Sequence, residues 1–223
     1  MDTRQVKTTP LVVADWGLTD YSMAFERQAE MVKLRLAGAN RDTLVLVEHP
    51  ATVTLGRRAT DSDLCLPERQ YSEEGIILQK INRGGLATAH EPGQLVAYPV
   101  VELKIKDVRW FAQGMLEIVI QVLNEFEVAG YLKTGEPGVW VNGKKICSFG
   151  IALKKWVSSH GIAFNVNNSL TTFATIVPCG RPAEIVTSLS RELDRPVDIA
   201  HVKTLFVEFF CKQFHYSIEA HVS

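Results

Sequence analysis

No CxxC pair occurs in the 223 residues, and the four cysteines, Cys65, Cys147, Cys179 and Cys211, stand far apart. That spacing argues against a zinc ribbon or a dense disulfide framework. It leaves free thiols, as in a reducing cytoplasm, and a cytoplasmic location is expected. Met1 to Lys7 hold no apolar stretch of the kind a secretory signal needs. No apolar run approaches the ~18 residues of a membrane span. Charge of one sign is also missing. The 24 Lys+Arg face 25 Asp+Glu, a net charge of -1, so no global field draws the chain to nucleic acid or membrane. There is no GxxxxGK[ST] phosphate loop, no internal repeat and no low-complexity tract. What remains is ordinary globular composition, 46% hydrophobic and 22% charged, with a length that suits one domain, 1–223.

Strands and helices mix along the chain. Pro10 to Trp16 reads as a first strand. A helix capped by Asp20 or Ser22 runs to Leu36, with Phe25, Ala29, Val32 and Leu36 at helical spacing, and Gly38-Ala39-Asn40 ends it. Thr43 to Glu48 is a nearly continuous apolar run, hence a buried strand. Short strands are expected at Val53-Thr54-Leu55, Ile76 to Ile81 and Leu95 to Val101, with an exposed connection from Arg57 to Tyr71. Asp107 caps a helix with the stripe Phe111, Met115, Ile118, Val122 and Phe126. Asn142-Gly143 marks a hairpin, and strands are expected at Phe149 to Leu153 and Gly161 to Val166. A short helix spans Leu170 to Ala174, and the last one starts at Asp198 with Val202, Leu205, Phe206, Phe209 and Phe210 inward. Regular βα alternation is absent, which favours α+β with a largely antiparallel or mixed sheet.

Four segments have the residue types for chemistry. Arg83-Gly84-Gly85 follows a strand, and paired glycines let backbone N–H groups approach a ligand, although a tight turn needs them equally. Lys145 follows the hairpin turn. Alternation puts it on the strand face opposite Ile146, together with Cys147, and that face is either solvent or a cavity. Cys179 sits between Pro178, which fixes one backbone angle, and Gly180, which frees the next, so the thiol is presented at a bend. Cys65, Cys147 and Cys211 read as structural. The sequence is compatible with His160 as a base for Cys179 in the manner of cysteine hydrolases, with no orienting Asp or Asn identifiable from spacing.

These pieces together resemble a known family. Glu48-His49-Pro50, Thr54-Leu55-Gly56-Arg57-Arg58, Arg83-Gly84-Gly85 to His90 with Pro92-Gly93-Gln94, Gly138-Val139-Trp140-Val141 with Lys145-Ile146, His160-Gly161-Ile162-Ala163-Phe164-Asn165, and Pro178-Cys179-Gly180 before Val186-Thr187-Ser188-Leu189 look like the lipoyl(octanoyl) transferases. The motifs keep the family's order over roughly residues 10 to 195.

The resemblance implies a biotin/lipoate ligase-like α+β domain with a larger mixed β-sheet, a smaller sheet and flanking helices. It implies transfer of an octanoyl group from octanoyl-acyl carrier protein to a lysine on lipoyl domains of 2-oxoacid dehydrogenases and of the glycine cleavage H protein. Neither cofactor nor metal is needed, and a monomer is expected. Cys179 would form the acyl-thioester, and Lys145 would favour its thiolate and exchange protons. Arg83, Gly84, Gly85, Leu86, Ala87, Thr88, Ala89 and His90 would line the acyl site, completed by Ser148, Phe149, Gly150, Gly161, Ile162 and Ala163. Family members usually carry Gln, Tyr and Gly where this chain has Leu86, Ala89 and Glu91, which predicts a wider acyl tunnel or an altered mouth and a charge beside the site, and Arg181 just after the Cys motif is also unusual for the family. Three alternatives stay open: an amidotransferase between lipoyl domains, an ATP-dependent lipoate or biotin ligase, and a non-catalytic acyl-binding module.

Overall fold

The computed structural model describes residues 8–177 and 186–222. In chain order the elements are β1 (Thr9–Leu18), α1 (Tyr21–Leu36), β2 (Thr43–Glu48), β3 (Thr52–Leu55), α2 (Glu68–Glu73), β4 (Ile77–Lys80), β5 (Ala87–His90), β6 (Gln94–Val100), α3 (Val108–Glu125), β7 (Tyr131–Lys133), β8 (Glu136–Val141), β9 (Lys144–Lys154), β10 (Val157–Asn165), α4 (Leu189–Leu193), α5 (Ile199–Phe214) and β11 (Tyr216–Val222). Single 3-10 turns cover Asp61–Asp63 and Thr172–Thr175. The strands form an eight-stranded sheet in the order β11-β1-β2-β6-β10-β9-β8-β7 and a three-stranded sheet in the order β4-β3-β5. β1 runs parallel to both β11 and β2, and β3 runs parallel to β4. The other pairs are antiparallel, so the large sheet is mixed, as the resemblance implies, and the small one is mixed as well.

Local chemistry explains the helix starts. The Asp20 carboxylate accepts the backbone N–H of Ser22 at 2.8 Å, and Asp107 accepts that of Arg109 at 2.8 Å, which satisfies donors a helix leaves open at its first turn. The stripes of α3 and α5 bury against the large sheet: Phe111, Met115, Ile118 and Val122 share one core cluster with Val202, Phe206 and Phe210. A second cluster fills the small sheet, with Val53, Tyr71, Ala89, Phe173 and Ile176.

Several expectations change. The face α1 buries is Tyr21, Ala24, Gln28 and Val32, while Ala29 is exposed. Two of these carry polar ends that find partners inside, so hydrophobicity alone points to the wrong stripe. The connection from Arg57 to Tyr71 contains a 3-10 turn and the start of α2. β9 continues unbroken through residues 144–154, and its turn into β10 takes only Lys155 and Trp156, both at positive φ. β11 lies beside β1, where the Tyr216 hydroxyl donates to buried Asp42 at 2.9 Å. No helix among the described residues is long and apolar enough to cross a membrane.

Candidate active site

One cavity lies where the two sheets meet. The Arg83 loop and β5 form one wall, β9 and β10 the other, and Tyr21, Val96, Tyr98 and Pro137 close it. Of the residues expected there, Arg83, Gly85, Leu86, Ala87, Thr88, His90, Lys145, Ser148, Phe149, Gly150, Gly161, Ile162 and Ala163 line it. Gly84 and Ala89 stand off it. Ala89 packs into the small-sheet core, so a small residue there does not widen the cavity. Cys179 and the rest of 178–185, Arg181 included, lie outside the described residues.

Lys145 is buried. Its Nζ sits 5.0 Å from the centre of the Trp140 ring, an arrangement that favours a cation over the π face. Room for its stem comes from Gly138, at φ +135, because a Cβ there would come within 3.2 Å of Lys145 Cε and overlap the Cys147 carbonyl. Cys147 joins Ile146 in the main core, so of these three neighbours only Lys145 reaches the cavity. Burial pushes the Cys147 thiol well above the usual range, despite Lys145 nearby, which makes it a poor nucleophile. Cys211 is half-buried and also pushed up by burial, while Cys65 is exposed.

The chain returns to the site beside Lys145. Val186 bridges to it in parallel, and the Thr187 N–H donates to its carbonyl at 3.0 Å. On the other side of 178–185, the Val177 N–H donates to the Asp63 carbonyl at 2.9 Å, and Leu64 bridges to Ile176. Both approaches to the Cys179 segment are therefore pinned by backbone hydrogen bonds.

Arg83 is buried and mostly structural in its contacts. It donates to the Thr54 carbonyl and hydroxyl at 2.9 Å each and to the Gly84 carbonyl at 2.9 Å. The loop stays tight because Gly56 has no side chain, where a Cβ would lie 2.5 Å from the Gly85 oxygen. His90 donates from Nδ1 to Gln94 Oε1 at 2.8 Å, since the Gln94 amide nitrogen is used on Ala89 and Asn165. Asn165 in turn donates to the Thr187 carbonyl at 3.0 Å. A continuous polar chain thus joins the loop wall to the segment beside Lys145.

Glu91 does not add charge to the cavity. It is buried and accepts from Asn168, Ser169 and Thr171 side chains and from the backbone of Leu170 (2.7 Å) and Thr172, organising the turn at 168–172. The expected charge beside the tunnel is a turn anchor, because five donors converge on the carboxylate.

Behind the cavity lie groups to which the sequence assigned no role. His49 donates from Nδ1 to the Thr19 carbonyl at 2.7 Å, which leaves Nε2 to accept the Tyr98 hydroxyl at 2.8 Å. The Tyr21 ring, also on the cavity wall, stacks on His90 with centroids 5.3 Å apart. Tyr98 lies within the expected strand Leu95 to Val101. Tyr21 was hidden as the first residue of a helix. Burial holds His49 and His160 near 4, with Arg83 adding to the effect at His160, and it holds His90 well below its ordinary value. All three are neutral at pH 7. His160 is at the end of the cavity away from Lys145, with Nε2 on Asn82 at 2.8 Å.

Neutral burial of these rings makes stability pH-dependent. As pH falls below 6.5, the unfolded chain takes up protons that folded His49 and His160 refuse until about 4. Their stabilisation is therefore complete at neutral pH and lost on the way down from 6.5 to about 4. The expected slope is at most about 1.4 kcal/mol per pH unit per histidine. Urea midpoints at pH 7 and pH 5 measure it, and His49→Gln should flatten the slope by one histidine's share. An equal slope in that variant would refute the assignment.

The lipoyl protein ligase A/B catalytic domain model matches residues 20–211. An octanoyltransferase of Rubrobacter xylanophilus is 43% identical over 196 residues, covering 87% of this chain and 89% of that one. A solved lipoate-protein ligase A bound with ATP has a TM-score of 0.76 at 16% identity, covering 97% of this chain and 90% of that one. The archaeal bipartite lipoate protein ligase of Thermoplasma acidophilum gives 0.75 at 17%, with 97% and 87% covered. At such identity the two structures speak for the fold alone.

Proposed function

The chain belongs to the lipoyl protein ligase A/B catalytic domain family and is an octanoyltransferase of protein lipoylation, and from that premise we propose that the octanoyl group passes through a thioester on Cys179. The donor is octanoyl-acyl carrier protein. The acceptors are the target lysines of lipoyl domains in 2-oxoacid dehydrogenases and in the glycine cleavage H protein.

The observation that carries the reading is the buried Lys145 on the cavity wall, with the chain leaving 178–185 docked onto its backbone through Val186 and Thr187. A thiol with a reference value near 8.5 is mostly protonated at neutral pH. An ammonium close by raises the thiolate share, and the thiolate is the nucleophile. Cys179 Sγ⁻ attacks the carrier thioester carbonyl, the new C–S bond forms, and the carrier thiolate leaves and takes up a proton. The acceptor lysine amine then attacks the Cys179 thioester. Its proton passes to a base, the role assigned to Lys145 when neutral, and the Cys179 thiolate leaves. The first step exchanges one thioester for another and is near balance. The second forms an amide and runs downhill, so no nucleotide is consumed. The exposed Arg57 and Arg58 stand beside the loop wall, their N–H groups bonded to Arg83 and Gly85, where an acidic carrier can dock.

The test is intact mass after incubation with octanoyl carrier protein. Wild type should gain one octanoyl group that hydroxylamine removes, and Cys179→Ala should gain none while losing transfer to a lipoyl domain. An adduct of equal yield and lability on Cys179→Ala would overturn the thioester. Transfer only from an octanoylated lipoyl domain would instead make the enzyme an amidotransferase.

A further inference from the structure

Lys145 stands where the β8–β9 hairpin is least regular. Val139 pairs with Cys147 and Trp140 with Lys145, so Ile146 is the extra residue of a bulge. A bulge bends its strand and re-aims the side chains beside it. Beyond this one the hairpin tip keeps only two pairs, Trp140 with Lys145 and Val141 with Lys144. Residues 142–144 are exposed, and the chain turns at Asn142 and Gly143 with φ +49 and φ +79. Two pairs and a turn are a weak hold on the tip, and on Lys145 with it.

One carboxylate ties the tip down. Glu192 Oε2 accepts the Asn142 side-chain amide at 2.8 Å, and Oε1 accepts the Thr187 hydroxyl at 2.5 Å. Among the described residues, the bond to Glu192 is the only side-chain hydrogen bond made by residues 142–144. The far side of the tie is firm. Glu192 belongs to α4, whose Leu189 is fully buried in the main core. The Ser190 N–H of the same turn donates to the Val166 carbonyl at 2.8 Å. Thr187 is buried, donates its N–H to the Lys145 carbonyl at 3.0 Å, and accepts the Asn165 amide at 3.0 Å. Each Glu192 oxygen is therefore used, one on the turn before Lys145 and one on the residue bonded to the Lys145 backbone. Asn142, Thr187 and Glu192 bracket Lys145 from outside, since none of them lines the cavity.

We propose that Glu192 is a positioning residue for octanoyl transfer. Its carboxylate fixes the bulged hairpin tip, so that Lys145 keeps its place on the cavity wall. This rests on Lys145 acting in the transfer.

Asn142→Asp sets a second carboxylate against Glu192 and opens the tie, and Asp tolerates the left-handed backbone as Asn does. Adding Glu192→Gln closes it again. The new amide donates to the new carboxylate at 142, and its oxygen still accepts from Thr187. Glu192→Ala opens the tie from the other side and serves if Asn142→Asp does not fold. The measurement is octanoyl transfer from octanoyl-acyl carrier protein to a lipoyl domain. Asn142→Asp should lower kcat by roughly ten- to a hundredfold, as a misplacement of about 1 Å does, with KM for both proteins within about twofold. Its residual activity should climb with pH, like that of Lys145→Met, which partial unfolding would not produce. The double variant should return kcat to within about threefold of wild type, because the two changes couple through one hydrogen bond. Urea midpoints should move little, since the turn is exposed. A wild-type kcat in Asn142→Asp would overturn the proposal, and so would a loss that Glu192→Gln leaves in place or that follows the urea midpoint. Failure of the Lys145 reading shows separately, as Lys145→Met transferring at the wild-type rate.

Discussion

Lys145→Met lowers octanoyl transfer by about 10²–10⁴-fold while leaving the protein folded. The methionine keeps the length and apolar body of the stem in the space Gly138 leaves, so the wall of the cavity persists. What goes is the Nζ over Trp140, the group to which the proposed mechanism assigns both the charge that favours the thiolate and the exchange of protons. The remaining activity should climb with pH, because the thiol must then ionise near its ordinary value of about 8.5 without help. Wild type should climb less steeply over the same range. Single-turnover rates of Cys179 acylation from pH 6.5 to 9.5 separate the two. A variant within tenfold of wild type at pH 7, with the same profile, would remove Lys145 from the chemistry.

Gly161→Ala destabilises the fold by about 4 kcal/mol or more, or prevents it. β10 lies between β6 and β9 in the middle of the large sheet. A Cβ at 161 would overlap the Ala97 carbonyl oxygen and come within 2.8 Å of Pro99 Cδ. Both obstacles belong to β6, whose register with β10 and β2 is fixed along its length, so neither can give way without moving a buried strand. Gly150, its partner across β9, provides the contrast. A Cβ there meets Arg83 Cδ at 3.2 Å and the Gly84 oxygen at 3.2 Å, a side chain and a loop that can shift by a few tenths of an ångström. Gly150→Ala should cost about 1 to 3 kcal/mol and chiefly narrow the cavity. Chemical denaturation of both variants measures the difference, and equal midpoints would refute the account of Gly161.

The lesson from both glycines extends to the polar residues. Glu91 reads as a charge beside the tunnel because it follows His90 in sequence, yet its carboxylate turns to the donors of 168–172. Ala89 reads as a widened wall and proves to be core of the small sheet, while its neighbours Thr88 and His90 line the cavity. Tyr21, Gln28 and His49 carry polar atoms that elsewhere mark a surface. Here each polar side chain is buried, and their partners lie 30 to 132 residues away in sequence.

By itself the sequence determined the elements that rest on short-range pattern: β2 from its continuous apolar run, α3 and α5 from their stripes and Asp caps, and the β8–β9 hairpin from Asn142-Gly143. Most of the cavity lining followed from the family resemblance, whose motifs at Arg83 to His90 and Gly161 to Ala163 are contiguous, and not from local pattern. Only the tertiary structure decided which face α1 buries, that β11 closes the sheet against β1, and that Glu91 serves a turn. Each of these depends on contacts between residues far apart in the chain, where a polar atom's burial is set by the partner that meets it and leaves no mark on local periodicity.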